Sequence, residues 1–142
     1  MTDPRDVVVA LLRATETGDP EQVVAHMADD VVWQNVPLPP ARGKATVAKQ
    51  LRAMHKVVQD VEVRIHNIAA NGDVVLTERT DVIGRGAWQA EFWVCGTFVV
   101  RDGKVVLWRD YYDNATFVFA CLKGLVRAAV RTAQAKLQPV GR

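Results

Sequence analysis

VEVRIHNIAANGDVVLTERTDVI, Val61 to Ile83, decides the fold class. Val61, Val63 and Ile65 alternate with polar residues, the period-two pattern of a half-buried strand. Asn71-Gly72 is a strong hairpin signal, and Val74 to Ile83 runs back as a second strand. Gly84-Arg85-Gly86 turns the chain again. A long strand is predicted from about Trp88 to Val100, and Asp102-Gly103 leads into another from Lys104 to Tyr112. The pattern is an antiparallel meander. Gly96, in the middle of its longest strand, is where such a sheet could bend sharply.

Helices stand on either side of the meander. Asp3-Pro4 is a cap and first turn, and Val7, Val8, Leu11 and Leu12 form a helical stripe. Gly18-Asp19-Pro20 stops that helix and starts a second carrying Val23, Val24 and Met27. Val31 to Asn35 reads as a short strand, ended by Pro37-Leu38-Pro39-Pro40. After Gly43 a third helix is expected to about Gln59, with Val47, Leu51, Met54 and Val58 at helical spacing. A last helix is expected from about Ala115 to Lys136. No repeat or linker interrupts residues 1–142, so a single α+β domain is predicted.

With 142 residues, 49% of them hydrophobic, the chain can bury a real core. No apolar run reaches the ~18–20 residues of a membrane span, and the acids ahead of the first apolar run suit a capped helix rather than a signal peptide. A net charge of +2, with both signs mixed, gives nucleic acid no strong electrostatic footprint. Cys95 and Cys121 lie in apolar runs without metal-ligand spacing and are expected as reduced core thiols of a cytoplasmic protein. His26, His55 and His66 show no ligand spacing either. The first two are expected on helix surfaces, the third on a strand facing solvent or an interface. No metal or cofactor is expected. No Gly-rich loop opens a helix, and no Gly-x-Ser-x-Gly offers a nucleophile.

Two stretches carry charge among apolar residues. In LWRDYYD, Leu107 to Asp113, alternation puts Trp108, Asp110 and Tyr112 on one face and Arg109 on the other. An unpaired carboxylate between aromatic rings is costly, so Asp110 needs a partner or a proton. In VLTERTDVI, Val75 to Ile83, Thr77, Arg79, Asp81 and Ile83 share a face. Alternation leaves two readings open: a solvated ion-pair face, or an Arg with two carboxylates in a dry pocket, one acid ionised and the other protonated.

WQNVPLPP (33–40), LTERTDVI (76–83), FWVCG (92–96) and LWRDYYD (107–113) together resemble the limonene-1,2-epoxide hydrolase family. The resemblance runs through nearly the whole chain in element order. It implies the cone-shaped fold shared with nuclear transport factor 2 and ketosteroid isomerase: a curved, mixed, mainly antiparallel sheet with helices packed on it around a deep apolar pocket. It implies one-step epoxide hydrolysis without a cofactor. Asp110 would be the base that takes a proton from water, Asn35 would position that water, Asp81 would protonate the epoxide oxygen, and Arg79 would bridge the carboxylates. The better-known members use a Tyr where this chain has Trp33. An indole N–H only donates, whereas a phenol also accepts, so Trp33 either helps to hold the water in another way or walls the pocket.

Ile83 and Tyr112 are expected in the pocket wall by their shared faces, with Met54 and Phe117 added from helix faces. The substrate would be a small lipophilic epoxide, of lipid or terpene type. An isomerase or cyclase of the same fold, or a carrier of a hydrophobic ligand, are the competing readings. Trp88, Phe92, Trp93, Phe98 and Trp108 exceed the apolar area of one small pocket, and a homodimer through the outer sheet face would absorb the excess, as the resemblance also implies. Lys123, Arg127 and Arg131 form a basic stripe on the last helix, read as a solvated face, with contact to an anionic lipid or partner as the second reading.

Overall fold

The computed structural model of the chain describes residues 2–138, and the rest of the expected 1–142 domain lies outside the described residues. Helix α1 (Pro4–Thr15) is capped by the Asp3 side chain, which accepts from the Arg5 amide, and Asp19 caps α2 (Pro20–Val24) in the same way. Strands β1 (Met27–Val36) and β2 (Ala41–Arg42) precede α3 (Lys44–His55). The meander follows as β3 (Asp60–Asn71), β4 (Val74–Arg85), β5 (Trp88–Arg101) and β6 (Lys104–Tyr111), and α4 (Asn114–Leu137) comes last. Asp113 caps α4 by accepting from the Ala115 and Thr116 amides, which separates its role from that of Asp110 three residues earlier.

The sheet order is β2-β1-β6-β5-β4-β3. The β1–β6 pair is parallel and the other pairs are antiparallel, so the sheet is curved and mixed as expected. The register sets neighbours that periodicity could not supply. Thr77, Gly96, Asp110 and Asn35 are Cα partners in one row across β4, β5, β6 and β1. Val75, Phe98, Trp108 and Trp33 form the next row.

The core lies between the concave face and α1. Val8, Leu11 and Leu12 of α1 are fully buried with Val75, Phe98 and Val105 of the sheet. Each such side chain contributes about 1.5–3 kcal/mol by leaving water, which is why a short amphipathic helix stays docked. α3 packs beside β1, and α4 lies against β5.

Several expectations are corrected. β1 begins at Met27 rather than Val31, α3 stops at His55, and the two-residue β2 is additional. Pairing runs through Gly96 without a shift. The irregularities fall at Val99/Val100 and Ile65/Asn67. Cys95 and Cys121 are free thiols but not core residues: Cys95 is exposed and Cys121 half-buried. Cys95 points outward because Val94 and Gly96 occupy the inner face. The aromatic surplus is also smaller than expected on the outer face. Phe98 and Trp108 are buried inside, Phe92 faces the cavity, and Trp88 donates from Nε1 to the Cys121 carbonyl at 3.1 Å. Trp93 does point outward, 68% exposed.

Candidate active site

The inner faces of β4 and β6 meet over β5 and, with β1, α1, α3 and α4, enclose a cavity of about 310 Å³. A volume of this order suits a small molecule. From β4 come Arg79, Asp81 and Ile83. From β6 and the residue after it come Asp110 and Tyr112. β1 contributes Trp33 and Asn35, and Asn35 is the cross-strand neighbour of Asp110. Met54 on α3 and Phe117 on α4 form the outer wall, Phe117 edge-on to Phe92 at 4.8 Å and beside Tyr112 at 5.4 Å. Every residue that the sequence pointed to for the site therefore faces the same cavity. A larger groove of about 630 Å³ lies between α4 and the start of β5, lined by Glu91, Trp93, Lys123 and Arg127, and holds neither Asp81 nor Asp110.

Arg79 is the centre of the arrangement and only 1% exposed. Its Nε donates to Asp81 Oδ1 at 2.9 Å and its Nη2 to Asp81 Oδ2 at 3.1 Å. The same Nη2 reaches Asp110 Oδ2 at 2.7 Å. Asp110 Oδ1 accepts from the Trp108 indole at 2.9 Å, so both oxygens of this 5% exposed carboxylate are held. The Asn35 amide makes no side-chain hydrogen bond among the described residues and stands beside it. A primary amide can donate and accept at once, which suits holding a water against the carboxylate.

The surroundings of Asp81 act on its proton affinity in opposite directions. Burial raises the Asp81 pKa, Arg79 opposes it through charge and hydrogen bonds, Asp110 pushes it up again, and the net direction is up. Burial also works against the Arg79 charge, but Asp110 and Asp81 outweigh it, and the guanidinium pKa moves further up. Two carboxylates around one permanent cation thus favour retention of one proton. The site can take up a proton at one carboxylate and release one at the other.

Trp108 is the site residue that sequence reading missed, because it was counted as apolar surplus. Its signal was the i−2 position from Asp110 on the same face, where an indole N–H could reach a carboxylate. Trp33 stacks obliquely on Trp108 with ring centroids 5.7 Å apart, yet its own Nε1 is buried without a partner among the described residues. His55, expected on a helix surface, is exposed at the cavity rim near Asp19 and Gly18. His66 is on the outer sheet face, 2.8 Å from Thr80 Oγ1, and Arg109 points away from the site to donate to Gln34 at 3.1 Å. Among the described residues no three His, Cys, Asp or Glu side chains gather as metal ligands.

The family model of the limonene-1,2-epoxide hydrolase catalytic domain matches residues 2–127. The chain belongs to the limonene-1,2-epoxide hydrolase family. It is similar to epoxide hydrolase EphG of Mycobacterium tuberculosis, 43% identical over 130 residues, covering 92% of this chain and 87% of that protein. A solved structure of an M. tuberculosis LEH-like epoxide hydrolase superposes with a TM-score of 0.81 at 43% identity, over 89% of this chain and 94% of the other. A Catenulispora acidiphila protein with a ketosteroid isomerase-like fold reaches a TM-score of 0.74 at 15% identity, over 81% and 91% of the two chains. That likeness concerns the fold alone. Membership of the limonene-1,2-epoxide hydrolase family gives the acid pair and its Arg a specific chemical context.

Proposed function

We propose that this family member hydrolyses a small lipophilic epoxide, of lipid or terpene type, to a vicinal diol in one cofactor-independent step. The observation that carries the reading is the buried Asp110–Arg79–Asp81 group at the wall of an apolar cavity. Asp110 is the base. Water held between it and Asn35 attacks an epoxide carbon through oxygen as its proton passes to Asp110. The breaking C–O bond leaves its electron pair on the ring oxygen, which takes the Asp81 proton. Arg79 hydrogen-bonds both carboxyls and fixes the distance between them. The product carries one oxygen from water and one from the epoxide, and proton exchange with solvent returns the pair to its starting state. Ile83, Tyr112, Met54 and Phe117 enclose the apolar body of the substrate. An isomerase would need a base but has no use for an Arg that bridges two acids.

The exposed apolar residues of α4 support a homodimer, and the free thiols are compatible with a reducing cytoplasm. Removal of reactive epoxides as diols, a detoxifying role, fits the same chemistry.

Single-turnover hydrolysis in water labelled with heavy oxygen tests the reading. One labelled oxygen should appear in the first diol formed. Label entering a protein carboxylate first would sink the one-step mechanism. Asp81→Asn and Asp110→Asn should each lose on the order of 10²–10⁴-fold in kcat while remaining folded. Wild-type turnover in either variant would remove that residue from its role.

A further inference from the structure

Arg79 must reach across a whole strand. It stands on β4, while Asp110 stands on β6, roughly 9.5 Å away at ordinary strand spacing. The guanidinium therefore crosses β5, and it does so over Gly96, the Cα partner of both Thr77 and Asp110. A Cβ on Gly96 would lie 2.6 Å from Arg79 Nη1, 2.8 Å from Thr77 Oγ1 and 2.8 Å from Phe98 Cε2. Gly96 is not among the glycines with positive φ, so its backbone conformation does not call for glycine. The space does. Nη1 is also the guanidinium nitrogen that reaches neither carboxylate, and it donates instead to the buried Thr77 hydroxyl at 3.4 Å.

We infer that Gly96 and Thr77 are positioning residues for the acid–base group, forming the seat from which one guanidinium holds Asp110 and Asp81 together. The inference rests on the roles proposed above for the two acids. A methyl at position 96 would drive the guanidinium off the strand by about 1 Å to regain van der Waals distance. A shift of that size turns the 2.7 Å bond to Asp110 into a contact too long to be a hydrogen bond. Thr77 limits sliding in the other direction.

The test compares Gly96→Ala, Thr77→Val and Thr77→Ser, each checked for native circular dichroism. Gly96→Ala should lower kcat about 100-fold with KM within about threefold, since an interaction effective mainly in the transition state is lost. Thr77→Val should lower kcat about fivefold, a long hydrogen bond being worth less than an ideal one, and Thr77→Ser should match wild type. In the first two variants the basic limb of the pH–rate profile should move up, because the guanidinium that opposes the raised Asp81 pKa is displaced. The other titratable groups facing this pair are Tyr112 after β6 and, at the rim, Asp19 and His55. β1 presents Asn35, β3 Val63, β5 Val94 and Phe92, and α1 Leu12. A second readout needs no substrate: carboxyl-carbon NMR titration of the aspartates should change in Gly96→Ala and Thr77→Val but not in Thr77→Ser. Wild-type profiles and titrations in folded Gly96→Ala or Thr77→Val overturn the inference. Should Gly96→Ala fail to fold, the two Thr77 variants decide. Because the titration runs on free protein, it tests the seat even if epoxides prove not to be substrates.

Discussion

Trp33 and Trp108 are neighbours on parallel strands, but their indole N–H groups have different surroundings. Trp108 donates to Asp110, whereas Trp33 has no acceptor among the described residues. A hydrogen bond to a charged group is worth about 1.5–3 kcal/mol, so Trp108→Phe, which keeps the ring stack and removes the donor, should cost kcat about 10–100-fold at nearly unchanged KM. Trp33 has no such bond to lose. Trp33→Tyr removes a buried orphan donor and supplies a group that can donate and accept, so its kcat should equal or exceed wild type. A folded but inactive Trp33→Tyr would show an essential role for the indole. Asp81 yields a prediction in the pH dimension. Its folded pKa is raised, chiefly by burial, above that of the unfolded chain. The folded state therefore holds this proton to higher pH, and the stability it contributes is complete below the unfolded pKa and lost as pH rises through the folded one. Asp81→Asn cannot titrate there. The difference in Tm, variant minus wild type, should climb across that window and level off above it, as read by thermal scans from acid to neutral pH. A difference independent of pH would mean that Asp81 titrates alike in both states.

At the level of elements, α4 lies along β5 with most of its surface exposed. Of its described residues only Gly124 is buried, and a Cβ there would clash with the β5 backbone, 2.1 Å from the Gln89 carbonyl oxygen. Gly→Ala in a helix ordinarily stabilises by about 1 kcal/mol. Overpacking costs about 1–3 kcal/mol, and here the obstacle is main chain, so the cost should prevail. Gly124→Ala should lower the denaturation midpoint and raise KM several-fold for bulky epoxides, because α4 carries Phe117 into the cavity wall. Unchanged stability and KM would mean that α4 docks elsewhere. Alternation placed Arg79, Asp81, Asp110 and Trp108 on the inner faces because successive side chains of a strand point to opposite sides of the sheet. β2 is too short to have a period, and the start of β1 was hidden by Asp29-Asp30. The crowding of Gly96 by a side chain that crosses from β4 to β6 depends on register between strands, which the pattern within one strand does not encode. Cys95 was misplaced for a related reason: FWVCG looks uniformly apolar, although its alternate residues face opposite ways.

On the scale of the whole molecule, the apolar surface is unevenly placed. The concave side is filled by α1 and the cavity, while α4 exposes Phe119 at 68%, Val126 at 65% and Leu122 at 55%. Trp93 and Leu76 lie exposed on the outer sheet face. Single exposed apolar residues are ordinary, but a run of them along one helix beside an exposed Trp marks an interaction surface. Lys123 and Arg127 face Glu91 across the neighbouring groove, which leaves the apolar side of α4 free of the basic stripe. A second copy applied through a two-fold axis would cover this surface with itself, burying each residue of the patch twice without needing a different partner. It would also hold α4, and with it Phe117, against the cavity mouth. The expected result in sedimentation velocity at micromolar concentration is a species of twice the 15.7 kDa chain mass. The double variant Leu122→Glu with Val126→Glu should sediment as a monomer, because two carboxylates on each side of a self-complementary patch face each other. Its Tm should be lower than that of wild type, whose Tm should rise with protein concentration as mass action requires. A wild-type chain that stays monomeric, with a Tm independent of concentration, would rule out this assembly and leave α4 as a surface for some other contact.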